Sequence, residues 1–414
     1  MLIIPIERSL PIADAQKKIE STLIEYGINW KIEIVGRSVF TTKCGLYDRH
    51  GKLLDSGYGK GEKEASIAGA LFEAAEHWFC QFQNSSKENI QYLESSQMVE
   101  RKRFVEYLPA ALLLDTPSAI MAFRLYGRVG RMEKRIYPVA FSNPKYVDEL
   151  YTNKSLYLPD SFDYSNIGSY CSNSGVAIGS NETEATIHGI LEAIERDTLS
   201  KFLVSAFLTR KKSALRVVDR NSLSDELRIL MESVESEVDH SILLLELENE
   251  HGIPVFCSAL SKSSFEIEIT GYGCSLSNEH AVRRSLYELV QCYHVTAQFH
   301  PKEFKKKMQS TLSNLKHQNF HIRCAKLKFS EWCEEIGYEK INFSDTAFIH
   351  APKDIFEYLS VLTQLVEKSG RRVYSTIVNR LIGGQVVTHS FIEGQDHFYC
   401  VTNGALVLPN IRVL

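Results

Sequence analysis

The 414-residue sequence predicts a mixed α/β (α+β) fold built from a repeated unit of strand, Gly- or Ser-rich turn and helix. Two observations carry that reading. Short apolar or alternating runs are followed three times by glycine- or serine-rich segments, Gly57-Tyr58-Gly59-Lys60-Gly61, Ser172 to Ser180, and Gly271-Tyr272-Gly273-Cys274-Ser275. Each is then followed by a helical period with acidic residues on one face: Gly69 to Glu76, Glu184 to Asp197, and Arg284 to Gln291.

In order, helical spacing over Ile12 to Tyr26 opens the chain. Trp30 to Val35 alternates, Val39 to Tyr47 reads as a second strand, and Asp48-Arg49-His50-Gly51-Lys52 is a hairpin turn. A further strand ends in the Gly57–Gly61 run, and a helix follows over 62–82. Residues 84–148 read as irregular, with apolar patches at Phe104 to Leu114 and Ala119 to Tyr126, as an insertion (84–150) wrapping the core. A short strand ends at Ser155-Leu156-Tyr157-Leu158-Pro159. The Ser172–Ser180 loop leads into a helix over 182–208. Ile242 to Leu247, Val255 to Leu260 and Phe265 to Gly271 read as strands, and a helix spans 279–294. The segment 301–345 is polar; its Lys-rich start (Lys302, Lys305, Lys306, Lys307, Lys316) reads as a solvated helix. Asp354 to Lys368 is an amphipathic helix, and Val373 to Asn379, Gln385 to Ile392 and Phe398 to Val407 read as closing strands. No stretch marks a linker, so residues 1–414 read as one domain.

Hydrophobic residues make up 44% and charged residues 24%, an ordinary globular balance. A net charge of -4 gives no reason to expect nucleic acid as a partner. No apolar run reaches the length of a membrane span, and no signal peptide is expected at Met1 to Glu7. The nine cysteines are scattered, without a Cys-x-x-Cys pair, which fits free thiols in a reducing cytoplasm. A homodimer is compatible with the Leu- and Tyr-rich stretches.

The chemistry lies in the acidic helices. Glu73 and Glu76 are three apart, as are Glu192 and Glu195, with Glu184 two turns upstream; Arg284, Glu288 and Gln291 share a third face. Any one pair reads equally as exposed glutamates or an ordinary ion pair. Six glutamates on three segments flanked by apolar residues have a joint explanation as a site for hard divalent cations, the kind that accompanies a nucleotide polyphosphate. Arg196 and Arg284 could then face phosphates. The Walker-type loop and the kinase motifs are absent.

These motifs resemble the YcaO domain, a family whose members use ATP and Mg2+ to activate a peptide backbone amide. The family's Ser-x-x-x-Glu-x-x-Glu-Arg is similar to Gly69 to His77, where Glu73 and Glu76 match while Gly69 and His77 replace the Ser and Arg. A Ser/Asn-Gly loop, Glu-Ala and Glu-x-x-Glu-Arg-Asp resemble Asn173 to Asp197, with Glu184, Glu192, Glu195, Arg196 and Asp197 in place. Ser180, beside Asn181, stands where the family often has Asn. Arg284, Glu288 and Gln291 meet Arg-x-x-x-Glu-x-x-Gln.

The resemblance spans about residues 1–405 and implies a YcaO-type fold around an internal Mg-ATP site. It implies Glu73, Glu76, Glu184, Glu192, Glu195 and Glu288 as metal ligands, and Arg8, Ser180, Asn181, Arg196, Arg284 and Gln291 around the nucleotide, with Lys60 the alternative to Arg8. It further implies phosphorylation of a backbone amide oxygen in a ribosomally synthesised precursor peptide, yielding a thiazoline or oxazoline. The same chemistry gives a thioamide with sulfide or an amidine with an amine. An accessory role in methylthiolation of a small-subunit ribosomal protein and a non-catalytic scaffold are the other readings. A leader-peptide-binding partner, ThiF-like (ocin-type) or TfuA-like, is expected. Azoline-forming relatives carry a proline-rich carboxyl end; Leu408 to Leu414 holds one proline. His77 is the candidate replacement base.

Overall fold

The computed structural model describes residues 4–99, 112–113, 116–152, 159–207 and 215–410. The strand expected at 155–159 and most of the apolar patch at 104–114 lie outside these residues. Helix α1 (Ile12–Glu25) precedes an antiparallel three-stranded sheet of β1 (Asn29–Val35), β2 (Phe40–Tyr47) and β3 (Leu53–Gly61), backed by α2 (Lys63–Phe79). Next come β4 (Ile90–Glu94), β5 (Ile120–Arg128), β6 (Lys134–Pro138), α3 (Pro144–Thr152), β7 (Val176–Gly179) and α4 (Glu182–Phe207). Then follow β8 (Leu215–Val218), α5 (Asp225–Val238), β9 (Ile242–Glu246), β10 (Val255–Leu260), β11 (Thr270–Cys274) and α6 (Asn278–His294). Helices α7 (Pro301–Asn314), α8 (Asn319–Lys326) and α9 (Phe329–Ile336), strand β12 (Tyr338–Ile341), α10 (Ile355–Lys368), β13 (Val373–Arg380) and β14 (Val386–Ile392) complete the order.

Strands β11-β10-β9-β8-β12 form a second sheet, antiparallel except for the β8–β12 pair. A third has the order β4-β5-β13-β14-β7, with β6 on β5. Helix α4 is central. Its Ile187, Ile190, Leu191 and Ile194 share one core with Phe123 of β5, Leu245 of β9, Val255 of β10 and Phe391 of β14. An amphipathic helix has one apolar stripe; α4 is buried on nearly all sides, as an interior helix must be.

Several segments fold differently from the sequence expectation; the strand expected at Phe265 to Gly271, for one, begins only at Thr270 and runs on to Cys274 as β11. Within 84–148 the described residues are not simply irregular: β4, β5 and β6 extend the third sheet, and β5 pairs directly with β13. Residues 398–407 do not form a closing strand. Phe398–Asn403 is a short 3-10 helix, because buried Asp396 accepts from the backbone N–H groups of Phe398 (2.8 Å) and Asn410 (2.9 Å).

A further difference has the largest consequence. Both Gly-x-Gly runs, expected as turns, lie inside strands, Gly57 and Gly59 in β3, Gly271 and Gly273 in β11. A Cβ on Gly59 would stand 1.8 Å from the Ser66 carbonyl oxygen of α2, and one on Gly273 2.1 Å from the Ala281 carbonyl oxygen of α6. These glycines therefore let a helix lie directly on strand backbone. Part of the expected Ser172–Ser180 loop is likewise strand, β7, from which α4 leaves. The Lys-rich start of α7 is exposed, as its charge run predicts.

Gly273→Ala should destabilise the fold by roughly 1–3 kcal/mol, the usual cost of overpacking. Denaturant titration checks this; a change below about 0.5 kcal/mol would show that α6 moves away freely.

Candidate active site

Close helix-to-strand packing brings carboxylates on α2, α4 and α6 up against strand N–H groups. Glu73 accepts from the backbone of Tyr58 in β3. Glu76 Oε2 accepts from Ile178 N of β7 at 2.9 Å. Glu192 Oε2 accepts from Gly175 N at 3.3 Å, and Glu288 Oε1 from Tyr272 N of β11 at 3.3 Å. Each side chain is thus tethered by a fixed dipole that favours its charged form.

Glu73, Glu76, Glu192, Glu195 and Glu288 form one electrostatic cluster. Burial is the largest influence on all five. It holds Glu73 and Glu192 above the ordinary carboxylate range and Glu76 well above it, with Glu192 and Glu73 adding repulsion at Glu76. Burial and then Glu288 push Glu195 up to about 7. Burial also raises Glu288, but Lys60 and Arg196 outweigh it and leave its pKa lowered. Lys60 Nζ lies 2.5 Å from Glu288 Oε2. Arg196 Nε is 3.9 Å from Glu192 Oε1, and its guanidinium lies over the Tyr399 ring. Two adjacent cations leave this all-oxygen cluster with excess negative charge. That donor set suits a hard divalent cation.

A cavity of about 580 Å³ opens on Glu192, Arg196 and Glu288 and is walled by Tyr272, Tyr399 and the hydroxyls of Ser172 and Thr296. Asp197, last residue of the α4 motif, does other work. It accepts from Lys201 and Arg371 (both 2.8 Å) and from Asp396 N (2.7 Å), fixing the turn before the 3-10 helix.

The expected shell of six glutamates is, in this structure, a cluster of five plus a separate pair. Glu184 lies eight residues before Glu192, about 12 Å along the helix. It is taken by Arg8 NH1 (3.1 Å) and Ser9 Oγ (2.7 Å). Asn181 Oδ1 accepts from Glu184 N at 2.9 Å. Ser180 is buried, its hydroxyl without a partner among the described residues, and its carbonyl accepts from Lys18. Gln291 is half-buried on α6, one turn beyond Glu288. His77 donates Nδ1–H to the Ser56 carbonyl at 2.7 Å and is an electrostatic neighbour of Glu73, but it is not among the residues lining the cavity.

Sequence reasoning missed Glu7. Its carboxylate is buried, accepting from Ser275 Oγ (2.6 Å) and Tyr358 Oη (2.7 Å), with Arg284 NH1 at 3.4 Å. His280 and His188 lie 3.7 and 4.0 Å away. The available signal was a charge inside the apolar run Leu2-Ile3-Ile4-Pro5-Ile6.

Fold and site together define a mixed α/β protein with a cluster of five close carboxylates beside a cavity. The chain belongs to the YcaO cyclodehydratase family, ATP- and Mg2+-binding, whose model matches residues 56–389. It is accordingly an ATP-dependent enzyme of cyclodehydratase type, with ATP and Mg2+ as cofactors. No curated protein matches the sequence. Among solved structures, YcaO from Methanopyrus kandleri, bound with AMPPCP and Mg2+, is similar at 16% identity and a TM-score of 0.65, over 96% of this chain and 95% of that one. A heterocyclase in complex with substrate and cofactor is similar at 15% identity and a TM-score of 0.66, over 94% of this chain. The chain spans about half of that heterocyclase, 53%. The Escherichia coli microcin synthetase McbBCD complex matches at 15% identity and a TM-score of 0.54, over 88% of each chain. These likenesses show the fold. No helix among the described residues is long and apolar enough to cross a membrane.

Because folded Glu195 holds its proton up to about pH 7, against an ordinary value of 4.5, its contribution to stability is full below pH 4.5 and lost as pH rises to 7. The metal-free protein should therefore be less stable at pH 8 than at pH 6, by roughly 1 kcal/mol. Glu195→Gln should flatten that dependence. Thermal melts across this range check it; an unchanged slope in the variant would assign the effect elsewhere.

Proposed function

We propose that the chain uses Mg-ATP to activate a backbone amide of a ribosomally synthesised precursor peptide and so closes a thiazoline or oxazoline ring. The observation that carries this reading is the half-buried to buried five-glutamate cluster, three of its members around Arg196, open to a cavity of about 580 Å³. Glu73, Glu76, Glu192, Glu195 and Glu288 would hold Mg2+, which when bound neutralises charge on the polyphosphate. Glu184 would join them only by leaving Arg8 and Ser9. Arg8, Ser180, Asn181, Arg196, Arg284 and Gln291 are the proposed surroundings of the nucleotide.

The peptide would enter by the cavity. A Cys, Ser or Thr side chain gives up its S–H or O–H proton to a base and adds to the preceding carbonyl carbon, and the carbonyl oxygen becomes an alkoxide. That oxygen takes the γ-phosphoryl group of ATP, releasing ADP, then departs as phosphate while the amide nitrogen loses its proton and forms the C=N bond. The logic is that an amide oxygen leaves poorly until phosphorylated. Arg196, a neighbour of Glu192, Glu195 and Glu288, would stabilise charge developing in the cavity. His77 would serve as base only through a rearrangement that brings it to the cavity.

A partner that presents the leader peptide, ThiF-like or TfuA-like, is part of the proposal. Its support is that two related structures are complexes, one of them holding pro-MccB17. With sulfide or an amine as nucleophile the same site would give a thioamide or amidine. A cytoplasmic location follows from this role.

Incubation with precursor peptide, partner and Mg-ATP, followed by mass spectrometry, tests the reading. Loss of one water per ring with stoichiometric phosphate release is expected. Exchange of oxygen for sulfur would redirect it to thioamidation. ATP turnover with an unchanged peptide across partners would count against amide activation. Glu192→Gln should lower turnover on the order of 100-fold or more, with a melting temperature at or above that of the parent.

A further inference from the structure

The segment from Glu7 to Ser9 grips one residue expected at the metal, Glu184, and one expected at the nucleotide, Arg284. Arg8 and Ser9 hold Glu184, while Glu7 holds Arg284. Glu7 is a non-glycine residue at φ 65°, a costly backbone that persists only where the surroundings fix it. What fixes it is its carboxylate. The hydroxyls of Ser275, at the end of β11, and Tyr358, on α10, both donate to the same Oε1, and Oε2 faces Arg284 and His280. Leu276 N donates to Tyr358 Oη at 2.8 Å, tying this anchor to the turn that launches α6.

Arg284 thus leaves α6 toward a fully buried counter-charge. NH1 is committed to Glu7, while Nε is buried without a partner among the described residues. A guanidinium with one arm fixed and one donor spare is held in one orientation. Without Glu7 it would be drawn toward the carboxylates it already feels, Glu195 and Glu288, and would neutralise the centre meant for the metal.

We propose that Glu7 is a positioning residue: it holds Arg284 away from the carboxylate cluster and presents the guanidinium to the nucleotide. This rests on the proposed role of Arg284. None of the three family motifs includes Glu7.

The test is a thermodynamic cycle of Mg-ATP affinity by titration calorimetry on the parent, Glu7→Gln, Arg284→Ala and the double variant, with melting temperature measured on each. Glu7→Gln keeps the shape and removes the charge. It should weaken Mg-ATP binding about 10-fold on its own and less than about 2-fold when Arg284 is already alanine. Tyr358→Phe, which leaves the charge but removes one hydroxyl from Glu7, should weaken binding in the same direction and covers the case in which Glu7→Gln misfolds. Equal effects of Glu7→Gln in both backgrounds would overturn the inference, showing a purely structural role. Tighter binding by Glu7→Gln would also overturn it, since Glu7 would then be competing with phosphate for Arg284. If Arg284→Ala leaves binding unchanged while Glu195→Gln abolishes it, the metal centre stands and the roles of Arg284 and Glu7 both fall.

Discussion

The structure depends on keeping several carboxylates buried close together before any metal arrives. Burying an ion costs several kcal/mol even after relaxation, and a like-charged neighbour adds to that. The fold meets the cost with backbone dipoles. Tyr58, Ile178, Gly175 and Tyr272 each offer an N–H to a different glutamate. The contacts from Tyr58 and Tyr272 are within reach because α2 and α6 lie almost on the backbone of β3 and β11, where Gly59 and Gly273 leave no side chain between. The glycines and the glutamates are therefore one design: a larger residue in the strand would lift the acid out of reach of its donor.

Charge balance then divides the site into two ends. At one end Lys60 and Arg196 are the cations in ion pairs with the five acids among the described residues, and the cluster faces a cavity. At the other, Glu7 with Arg284 and Glu184 with Arg8 are matched pairs on the same amino-terminal segment. Excess negative charge draws a cation, whereas matched pairs can open to an anionic ligand by exchanging partners. A metal–polyphosphate needs both kinds of surroundings, and the three carboxylate helices bring them side by side.

Much of this was legible in the chain. The helical spacing of Glu73 and Glu76, and of Glu192 and Glu195, fixes which side chains share a face, and α2, α4 and α6 appear where that period predicts them. What failed was local grammar. Gly-x-Gly signals a turn in isolation, but here it marks contact between a strand and the helix that follows it, a matter of packing depth at Gly59 and Gly273. Phe398–Asn403 looked like a strand because its apolar content is high; the buried carboxylate of Asp396 that coils it is a tertiary fact. The pairing of Glu184 with Arg8 and the role of Glu7 were out of reach for one reason. Spacing places Glu184 on the face of the other acids and says nothing about which cation reaches it first, and Glu7 acquires its role only through Ser275, Tyr358 and Arg284, far along the chain.

The most direct measurement of the central claim is a crystal structure with Mn2+ in place of Mg2+ and a non-hydrolysable ATP analogue, read by anomalous scattering. The account predicts metal peaks in contact with oxygens of Glu73, Glu76, Glu192, Glu195 or Glu288, drawn from at least two of the three helices. Metal bound only at surface carboxylates, with Lys60 still on Glu288 and Arg196 still among Glu192 and Glu195, would contradict it.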